Sequence, residues 1–521
     1  MQTGDSRLPL AYAGSAAQPS ATESQNWLPF FHVYPLAYKK ASLPEGPGHS
    51  LPALSLYDMT SQTKRLSVAI SGGGIAGLTL ALALSEYPEI EVHIFEAAHS
   101  LAEVGAGVAV FPRPWSILRR LGVDEELIKT CDVELQDGPS PSFHYRKSNQ
   151  AVGLQFATLV TTGTCSMITL YRADFQAALL GHLPDRVQIH YSKRLHSFDD
   201  RQPGPVQLVF SDGTAASCDI LVGADGLKSA TRAGVLARHI DDLRREGRED
   251  DAAEAASCIE PWWSGHIAYR ALIPKERLRE VSPNHQALTE PMQYLGKNGY
   301  IIAYPISHGK IINIVAFDMR HDLENTKFDG PWVQHADKEH FTHIFANWEP
   351  EVQALVNCAE NPLAWAIHTV KPMHSFVSES GRVALIGDAA HAMTPHQGSG
   401  AGQAVEDAYI LARILGHPST TVEKLPRALR IFDQVRRPAA QHVGRVSRLA
   451  GRYFSFELDG TGKHVDFAAD FGHAGVGIDP AGWEILQQIY KQVEDNWRWA
   501  WTTSVDDVEQ EVVKLLEDPE N

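Results

Sequence analysis

The stretch LSVAISGGGIAGLTLALAL, residues 66–84, contains an apolar run, a glycine-rich turn and a second apolar run. The first run predicts a buried strand and the second a helix. Between them, Gly72-x-Gly74-x-x-Gly77 has the spacing that permits a tight turn, a close approach of backbone to a pyrophosphate, and close helix–strand packing. Glu96 ends the next predicted strand, where a carboxylate accepts hydrogen bonds from a ribose diol. The stretch therefore predicts a β-α-β unit that binds a dinucleotide.

Residues 68–84 are also long and apolar enough to make a membrane helix an alternative interpretation. Their four glycines, at turn-like spacing, favour the dinucleotide-binding turn instead. The chain has 521 residues, is 44% apolar and carries a formal net charge of -17. This charge argues against nucleic acid or an anionic membrane surface as a partner, because both select for basic patches. We expect no integral membrane segment and no nucleic-acid partner.

The five cysteines are scattered, odd in number and without paired spacing. This pattern favours reduced thiols over a disulfide framework. The sequence contains no CxxC or HExxH motif and no cluster of His and Cys, so it predicts no metal site. The first residues lack a basic start followed by an apolar run, so no secretory signal is predicted and we expect a cytoplasmic protein.

A second glycine-rich segment follows a predicted buried strand at residues 383–386. It begins Gly387-Asp388-Ala-Ala-His, continues through Pro395, and reaches GSGAG at residues 398–402. A loop of small residues that opens a helix brings backbone N–H groups against a flat ring or an anionic oxygen. Asp388 is placed to bond sugar or ribityl hydroxyls. An acidic helix N-cap would explain Asp388 alone, but it would not explain the glycines.

A third segment, CDILVGADG at residues 218–226, contains a short apolar run that ends in Asp225-Gly226. By itself it is best explained as a strand followed by a turn. Its position between the other two segments gives it further meaning.

These three segments, in this order, resemble those of the class A flavoprotein monooxygenases, the group of p-hydroxybenzoate and salicylate hydroxylases. AGQAVEDA (401–408) and YRALIP (269–274) resemble the salicylate hydroxylase-like branch in particular, which includes polyketide-phenol hydroxylases. The resemblance covers about residues 65–450. It implies an α/β protein with a discontinuous Rossmann-type FAD-binding domain, an inserted and mostly antiparallel β-sheet substrate domain, and C-terminal helices.

The same resemblance implies a division of the chain into five parts. In order, these are a poorly ordered N-terminal extension (1–62), the first part of the FAD-binding domain (63–261), the substrate-binding sheet domain (262–375), the second part of the FAD-binding domain (376–450) and a C-terminal helical segment (451–521). The extension has no counterpart in the minimal family fold.

Carried over position by position, the resemblance assigns FAD contacts within the matching segments. Glu96 is expected to bind the adenosine ribose, Asp388 the ribityl–phosphate region, and Arg172 a phosphate or the ribityl chain. Asp225 is expected to contact both FAD and NAD(P)H. The other positions assigned to the cofactor are Gly72, Gly74, Gly77, Gly107 in the loop 105–107, Pro395, Gly398, Gly400 and Ala401. Gly402 departs from the Asn of many family members, although Gly is usual in the salicylate-like branch.

Two residues of the predicted sheet domain, Arg270 and Tyr304, match positions that act on the substrate in dearomatising members of the family. An arginine stays charged and lowers the pKa of a nearby phenol, and a tyrosine donates a hydrogen bond to the same oxygen. The alternatives are a surface ion pair for Arg270 and a core aromatic for Tyr304. His266, on the same predicted strand as Arg270, is either a proton carrier or a half-buried structural histidine.

The resemblance implies an FAD-dependent aromatic monooxygenase that uses NADPH or NADH and O2. A C4a-hydroperoxyflavin would hydroxylate a phenolic substrate, with polyketide-derived phenols among the candidates. Decarboxylative hydroxylation of the salicylate 1-monooxygenase type uses the same fold and stays open. A flavin-dependent halogenase or reductase and a non-catalytic FAD-binding protein are the alternatives from other classes. Halogenases carry a WxWxIP-type motif, whereas Trp497-Arg498-Trp499 is not followed by Ile-Pro.

Overall fold

The computed structural model describes residues 64–101, 107–130, 138–163, 167–201, 203–465 and 480–518. The predicted N-terminal extension lies outside the described residues, as do Gly105 and Ala106 of the predicted FAD loop. In chain order, the strands are β1 Leu66–Ser71, β2 Ile90–Phe95, β3 Gly107–Val110, β4 Ser140–Lys147, β5 Leu154–Thr161, β6 Ile168–Tyr171, β7 Gln188–His190, β8 Leu195–Asp199, β9 Val206–Phe210, β10 Ala215–Cys218, β11 Ile220–Gly223, β12 Trp262–Pro274, β13 Met292–Gly296, β14 Gly299–Ile306, β15 Ile311–Met319, β16 Val333–His335, β17 Leu363–Thr369 and β18 Val383–Leu385.

The helices lie between and after these strands. They are α1 Ile75–Leu84, α2 Pro112–Arg120, α3 Asp124–Thr130, α4 Arg172–Gly181, α5 Ala230–Arg245, α6 Glu249–Ala256, α7 Lys275–Val281, α8 Lys338–Ile344, α9 Pro350–Cys358, α10 Asp388–His391, α11 Gly400–Gly416, α12 Leu425–Phe454, α13 Pro480–Trp497, α14 Trp499–Thr502 and α15 Asp506–Glu517.

The glycine-rich stretch forms β1 and α1 of a five-stranded parallel sheet with the order β18-β11-β1-β2-β7. Because β1 is a central strand, it is buried along its whole length, and α1 is buried on every side. A helix that is apolar all round belongs either in a protein core or in a membrane. Here α1 packs on α11 and the sheet, and none of the described helices is long and apolar enough to cross a membrane.

The sheet is built from distant parts of the chain. Strand β18 pairs with β11, although residues 224–382 lie between them. That intervening chain contains six strands of a second, eight-stranded sheet. The predicted α/β class, the discontinuous Rossmann-type domain and the inserted sheet are therefore confirmed.

The eight-stranded sheet has the order β16-β17-β12-β15-β14-β13-β4-β5. Neighbouring strands are antiparallel except for β13 and β4, which are parallel. The hairpin β4–β5, which the sequence division places with the FAD-binding part, belongs instead to this sheet. The sequence hides this because the hairpin joins through a long-range parallel pairing with β13, which leaves no local signal.

The two faces of the eight-stranded sheet have different partners. Side chains of one face pack with Phe341 of α8 and Leu355 of α9. Side chains of the other face pack with Phe454 at the end of α12 and with Leu486 and Ile489 of α13. This second face carries Arg270 and Tyr304, so the fold places both residues between the sheet and the FAD-binding domain.

Candidate active site

A cavity of about 340 Å³ lies between the glycine-rich turn of the parallel sheet and the eight-stranded sheet. Ten of the fourteen predicted site residues line it. They are Gly74, Gly107, Arg172, Arg270, Tyr304, Asp388, Pro395, Gly398, Gly400 and Ala401. Gly72, Gly77, Glu96 and Asp225 lie next to the lining residues without being part of them.

The three glycines of the first motif have different roles. Gly72 has φ +108°, and a Cβ there would overlap the carbonyl of Ala224. A Cβ on Gly77 would overlap the carbonyl of Gly72. A Cβ on Gly74 would meet nothing within 4 Å, and this residue is the N-cap of α1 at the cavity. Gly72 and Gly77 are thus needed for the turn and for packing, whereas Gly74 leaves open space at the positive end of a helix.

Glu96 is tied to the same turn. One carboxylate oxygen accepts a hydrogen bond from the Gly73 N–H at 2.7 Å, and the other accepts one from the Ala98 N–H at 2.7 Å. The half-buried side chain therefore bridges the end of β2 and the glycine-rich loop. Each oxygen keeps a further lone pair for a ribose hydroxyl.

Asp388 is exposed and lines the cavity. Buried residues hold the turn that carries it. The preceding Gly387 has φ +59° and donates its N–H to Asp407 Oδ2 at 3.0 Å. Asp407 also lies 2.5 Å from His391 Nε2 and accepts a hydrogen bond from Arg436 Nε at 2.9 Å. Burial alone would raise the pKa of Asp407, but His391 and Arg436 outweigh it and hold the pKa below its usual value.

Arg436 extends this network along α11. It donates to Glu406 Oε2 at 3.1 Å and to Gln403 Oε1 at 2.8 Å, while Arg113 Nε lies 3.1 Å from Glu406 Oε1. Arg436 and Asp407 are 1% and 0% exposed, so the buried guanidinium relies on Asp407 and Glu406 together for compensation. The network fixes α11, whose first turn lines the cavity, to α12 and to the turn before Asp388.

The loop from Pro395 to Gly402 supplies the opposite wall. Gly398 adopts φ +61°, and a Cβ on Gly400 would meet nothing within 4 Å. Gly400 begins α11, so a second helix N-terminus faces the cavity. A Cβ on Gly402 would lie 3.0 Å from Pro114 Cγ of α2, which explains why this chain has Gly at that position.

His396, in the same loop, begins a chain of buried hydrogen bonds. Its Nδ1 lies 2.6 Å from the Tyr300 hydroxyl oxygen, and its Nε2 lies 3.1 Å from His266 Nδ1. His266 Nε2 in turn lies 3.4 Å from His321 Nδ1. Burial lowers the pKa of His396 to about 3 and that of His321 to about 4, and it also lowers that of His266. His266 is only 2% exposed and is a neutral link between the sheet and the loop.

Arg270 and Tyr304 share the cavity face of the eight-stranded sheet. Arg270 Nε is buried and has no hydrogen-bond partner, and no carboxylate among the described residues lies within ion-pairing distance of this guanidinium. Its guanidinium lies over the ring of Trp365, whose centre is 5.3 Å from Cζ. Burial raises the pKa of the Tyr304 phenol, and the charge of Arg270 opposes that increase. The pair therefore presents a cation and a phenol to the cavity.

Asp225 is engaged by the helix that follows it. Its carboxylate accepts hydrogen bonds from the Ser229 hydroxyl, from the Thr231 N–H at 3.0 Å and from the Thr231 hydroxyl at 2.9 Å. Its neighbours Ala224 and Gly226 line the cavity. The carboxylate thus shapes the turn, and its predicted contact with FAD or NAD(P)H stays a prediction.

Comparison with known proteins identifies the family. A family model described as an FAD binding domain matches residues 65–249 and 335–447, which include all three glycine-rich segments. The chain belongs to this FAD-binding family. The gap in the match, residues 250–334, contains the strands β12 to β15 that carry Arg270 and Tyr304.

The relatives are class A flavoprotein monooxygenases. A salicylate hydroxylase from Pseudomonas putida is 36% identical over 83% of this chain and 98% of its own length. The 6-methylsalicylate 1-monooxygenase atA from Aspergillus terreus is 32% identical over 76% of this chain and 84% of its own length. The solved structure described as "Salicylate hydroxylase substrate complex" is 29% identical, with a TM-score of 0.70 over 88% of this chain and 99% of that chain. The protein is an FAD-dependent monooxygenase.

The cavity of this monooxygenase fits FAD. Two helix N-termini face it, at Gly74 and Gly400, and at both a side chain would occupy otherwise open space. Thr394 Oγ1 and Gln397 Oε1 border the same cavity and are buried without hydrogen-bond partners in the described part of the chain. Such atoms are rare unless a ligand or water satisfies them.

Several residues of the monooxygenase site escaped the sequence analysis. Arg436, Gln293, His396 and the aliphatic side chains Ile302 and Val315 belong to it or brace it. Strands β13 and β14 are mostly apolar, so no alternation of polar and apolar residues marked which side chains share a face. Nothing in the sequence indicated which face would meet the flavin domain.

Proposed function

We propose that this monooxygenase hydroxylates a phenolic aromatic substrate, using NAD(P)H and O2. The observation that carries the proposal is Arg270, a half-buried residue whose Nε is fully buried and which borders the FAD cavity without an acidic partner in the described chain. A buried charge is stable only when it is compensated. An anionic oxygen of the substrate supplies that compensation.

FAD, when bound, would supply the redox chemistry that couples NAD(P)H oxidation to the transfer of oxygen from O2 to an electron-rich ring. The side chains of this protein prepare the ring. Arg270 binds the phenolate or carboxylate oxygen and favours its ionised form. Tyr304 donates a hydrogen bond to the same oxygen. Ile302, Val315 and Phe317 form an apolar wall that excludes water.

The roles of the cofactor contacts are part of the proposal. Gly74 leaves room for the pyrophosphate, Glu96 binds the adenosine ribose, and Asp388 binds the ribityl–phosphate region. Pro395 and the residues Gly398 to Ala401 lie against the flavin ring. We propose that residues 63–261 and 376–450 form the FAD-binding domain, except for the β4–β5 hairpin, which joins the substrate sheet of 262–375.

Decarboxylative hydroxylation of a 2-hydroxybenzoate is the second candidate. Relatives named salicylate hydroxylase and 6-methylsalicylate 1-monooxygenase favour it. Arg270 fits a carboxylate as well as a phenolate, because its planar fork matches either anion. The two candidates differ in product, since only the second releases CO2. We place either reaction in the cytoplasm, where NAD(P)H is available and thiols such as Cys218 and Cys258 stay reduced.

The test uses purified holoenzyme, a panel of phenols, 2-hydroxybenzoates and acylated resorcinols, and both NADH and NADPH. We expect substrate-stimulated NAD(P)H oxidation with one oxygen atom added to the product, detected by mass after reaction under labelled O2. Loss of 44 mass units together with that addition identifies the decarboxylative reaction, as expected from CO2. A holoenzyme that oxidises NAD(P)H but adds no oxygen to any member of the panel contradicts the proposal.

A further inference from the structure

Gln293 lies on β13 in the same cross-strand row as Arg270. Arg270 on β12 pairs with Val315 on β15, and Val315 pairs with Ile302 on β14. Ile302 in turn pairs with Gln293 on β13. Directly paired residues point to the same face of a sheet, and all four of these side chains line the cavity. The row is therefore a floor with a cation at one end, two aliphatic side chains in the middle and an amide at the other end.

The amide of Gln293 is fully buried and unsatisfied. The side chain is 0% exposed, and neither Oε1 nor Nε2 has a hydrogen-bond partner among the residues that the structure describes. A glutamine amide offers two donors and an acceptor, and burying them unpaired is costly. Gln176 shows the usual outcome, because this buried glutamine donates Nε2 to the Gly73 carbonyl at 2.8 Å. Gln293 is thus an unpartnered polar group that borders a ligand cavity.

Arg270 and Gln293 are too far apart to bind the same small group. They are separated by three strand spacings, which is about 14 Å between backbones. Val315 and Ile302 fill the floor between them and offer no hydrogen bonds. One hydroxyl or carboxylate cannot contact both ends, so two substituents on one ring system are needed.

We propose that Gln293 is a specificity-determining residue that binds a second, uncharged polar substituent across the aromatic ring from the anion bound by Arg270. The substrate class is then an aromatic ring with a phenolate or carboxylate at one end and a hydroxyl, carbonyl or amide group at the other. The second group is uncharged because a fully buried amide cannot compensate a charge. This inference rests on the proposed function and refines its substrate class.

The experiment compares matched substrate pairs on the wild-type holoenzyme and on Gln293→Met. The pairs are salicylate with 2,4-dihydroxybenzoate, and 2-hydroxybenzaldehyde with 2,4-dihydroxybenzaldehyde. Leaving a buried amide unpaired is costly, so we expect wild-type kcat/KM to favour the dihydroxy member by roughly 10- to 100-fold. Gln293→Met has a similar volume and no amide, so we expect its ratio to fall to within about threefold of unity. Gln207→Met, an exposed glutamine on β9, is the control and should keep the wild-type ratio.

Each outcome decides the inference. A wild-type enzyme that hydroxylates both members of each pair without preference overturns it, and this measurement needs no variant. A wild-type preference that persists in FAD-loaded Gln293→Met also overturns it, because another residue must then bind the second group. Gln293→Leu repeats the comparison should the methionine variant lose FAD. Failure of the wild-type holoenzyme to hydroxylate any aromatic compound overturns the proposed function and this inference together, whereas hydroxylation without discrimination overturns the inference alone.

Discussion

The hydroxyl of Tyr304 packs directly against the backbone of Gly107, so closely that a Cβ on Gly107 would lie 2.7 Å from the hydroxyl oxygen. These two residues border both the cavity of about 340 Å³ and a neighbouring cavity of about 260 Å³. The contact between β3 and β14 therefore fixes the phenol of Tyr304 at the partition between the two cavities.

Gly107→Ala is expected to displace Tyr304 and to lower the fraction of NAD(P)H that yields hydroxylated product. The methyl group would approach the hydroxyl more closely than van der Waals contact permits, so the phenol must move. Product and hydrogen peroxide are measured against NAD(P)H consumed for Gly107→Ala, Tyr304→Phe and the double variant. Because both changes act on one contact, their effects should not add. Additive effects would show that Gly107 acts independently of Tyr304.

Gly74→Ala is expected to weaken FAD binding at least about tenfold, equivalent to about 1.4 kcal/mol, while changing the unfolding free energy of the apoprotein by less than about 1 kcal/mol. The new methyl group meets no protein atom within 4 Å and so projects into ligand space. Titration with FAD and urea unfolding of the apoprotein give the two quantities.

Gly77→Ala is the matched control for Gly74. Its methyl group would overlap the Gly72 carbonyl, so overpacking should cost the apoprotein about 1–3 kcal/mol. If Gly74→Ala bound FAD with wild-type affinity, the pyrophosphate would lie elsewhere.

Asp407→Asn is expected to destabilise the protein by about 3–5 kcal/mol, because it leaves the guanidinium of Arg436 buried and undercompensated. Asp407 is 0% exposed and holds both Arg436 and the turn before Asp388. Urea denaturation provides the measurement. Asp506→Asn is the control, since Asp506 pairs with Arg120 at a half-exposed site and should change stability by about 0–1 kcal/mol. Equal effects of the two substitutions would show that the buried network contributes no more than a surface pair.

The linked histidines make the folded state sensitive to acid. In the unfolded chain each imidazole protonates near its ordinary pKa of 6.5, whereas in the folded state the pKa of His321 is lowered to about 4 and that of His396 to about 3. The unfolded state therefore binds more protons in this window, and stability falls as pH decreases below 6.5. Each neutral histidine contributes a slope of about 1.4 kcal/mol per pH unit.

His321→Gln is expected to reduce that slope between pH 6.5 and pH 4 by about 1.4 kcal/mol per pH unit. The unfolding free energy of wild type and variant is measured by urea denaturation at intervals across this range. Differences between the two proteins isolate His321 from the carboxylates that titrate in the same window. Parallel pH profiles would mean that the pKa of His321 is the same in the folded and unfolded states.

Much of the fold followed from local sequence. The glycine spacing after β1 required a turn that only small residues can form, and the acidic end of β2 lay where a ribose partner was expected. The structure places Gly74, Asp388 and Gly400 around one cavity because parallel strands end at the same edge of their sheet. The pairing of β4 with β13 could not be predicted, because strand pairing across more than 140 residues leaves no periodic signal in either partner.

The sequence predicted only part of the substrate side of the site. Arg270 and Tyr304 came from resemblance, since either could equally have been a surface or core residue by its pattern alone. Gln293 was missed because a glutamine within an apolar strand differs from its neighbours only in composition. The position of Gln293 beside the cavity depends on the register of four paired strands, which cannot be predicted from a single sequence.

Arg270 determines the charge state of the substrate in the proposed reaction. A phenol has a solution pKa of about 10, as tyrosine does, and is mostly neutral at pH 7. A neighbouring arginine in a water-poor cavity lowers that value by roughly one to three units, by analogy with a carboxylate beside arginine. Each unit corresponds to about 1.4 kcal/mol in favour of the ionised ring, which is the more electron-rich form.

Arg270→Ala is therefore expected to keep FAD but to lose most coupled hydroxylation of phenols at pH 7, with NAD(P)H oxidation yielding hydrogen peroxide instead. Because the cation is gone, raising the pH should restore part of the coupling by ionising the phenol in solution. Arg270→Lys retains a charge without the planar fork, so its coupling should lie between that of the wild type and that of Arg270→Ala. Tyr304→Phe should reduce coupling less than Arg270→Ala, because it removes a neutral donor and leaves the charge. Coupling is measured as product formed per NAD(P)H oxidised from pH 6.5 to pH 9.5. Wild-type coupling in Arg270→Ala throughout this range would remove Arg270 from the reaction, and the buried guanidinium would then need another anionic partner.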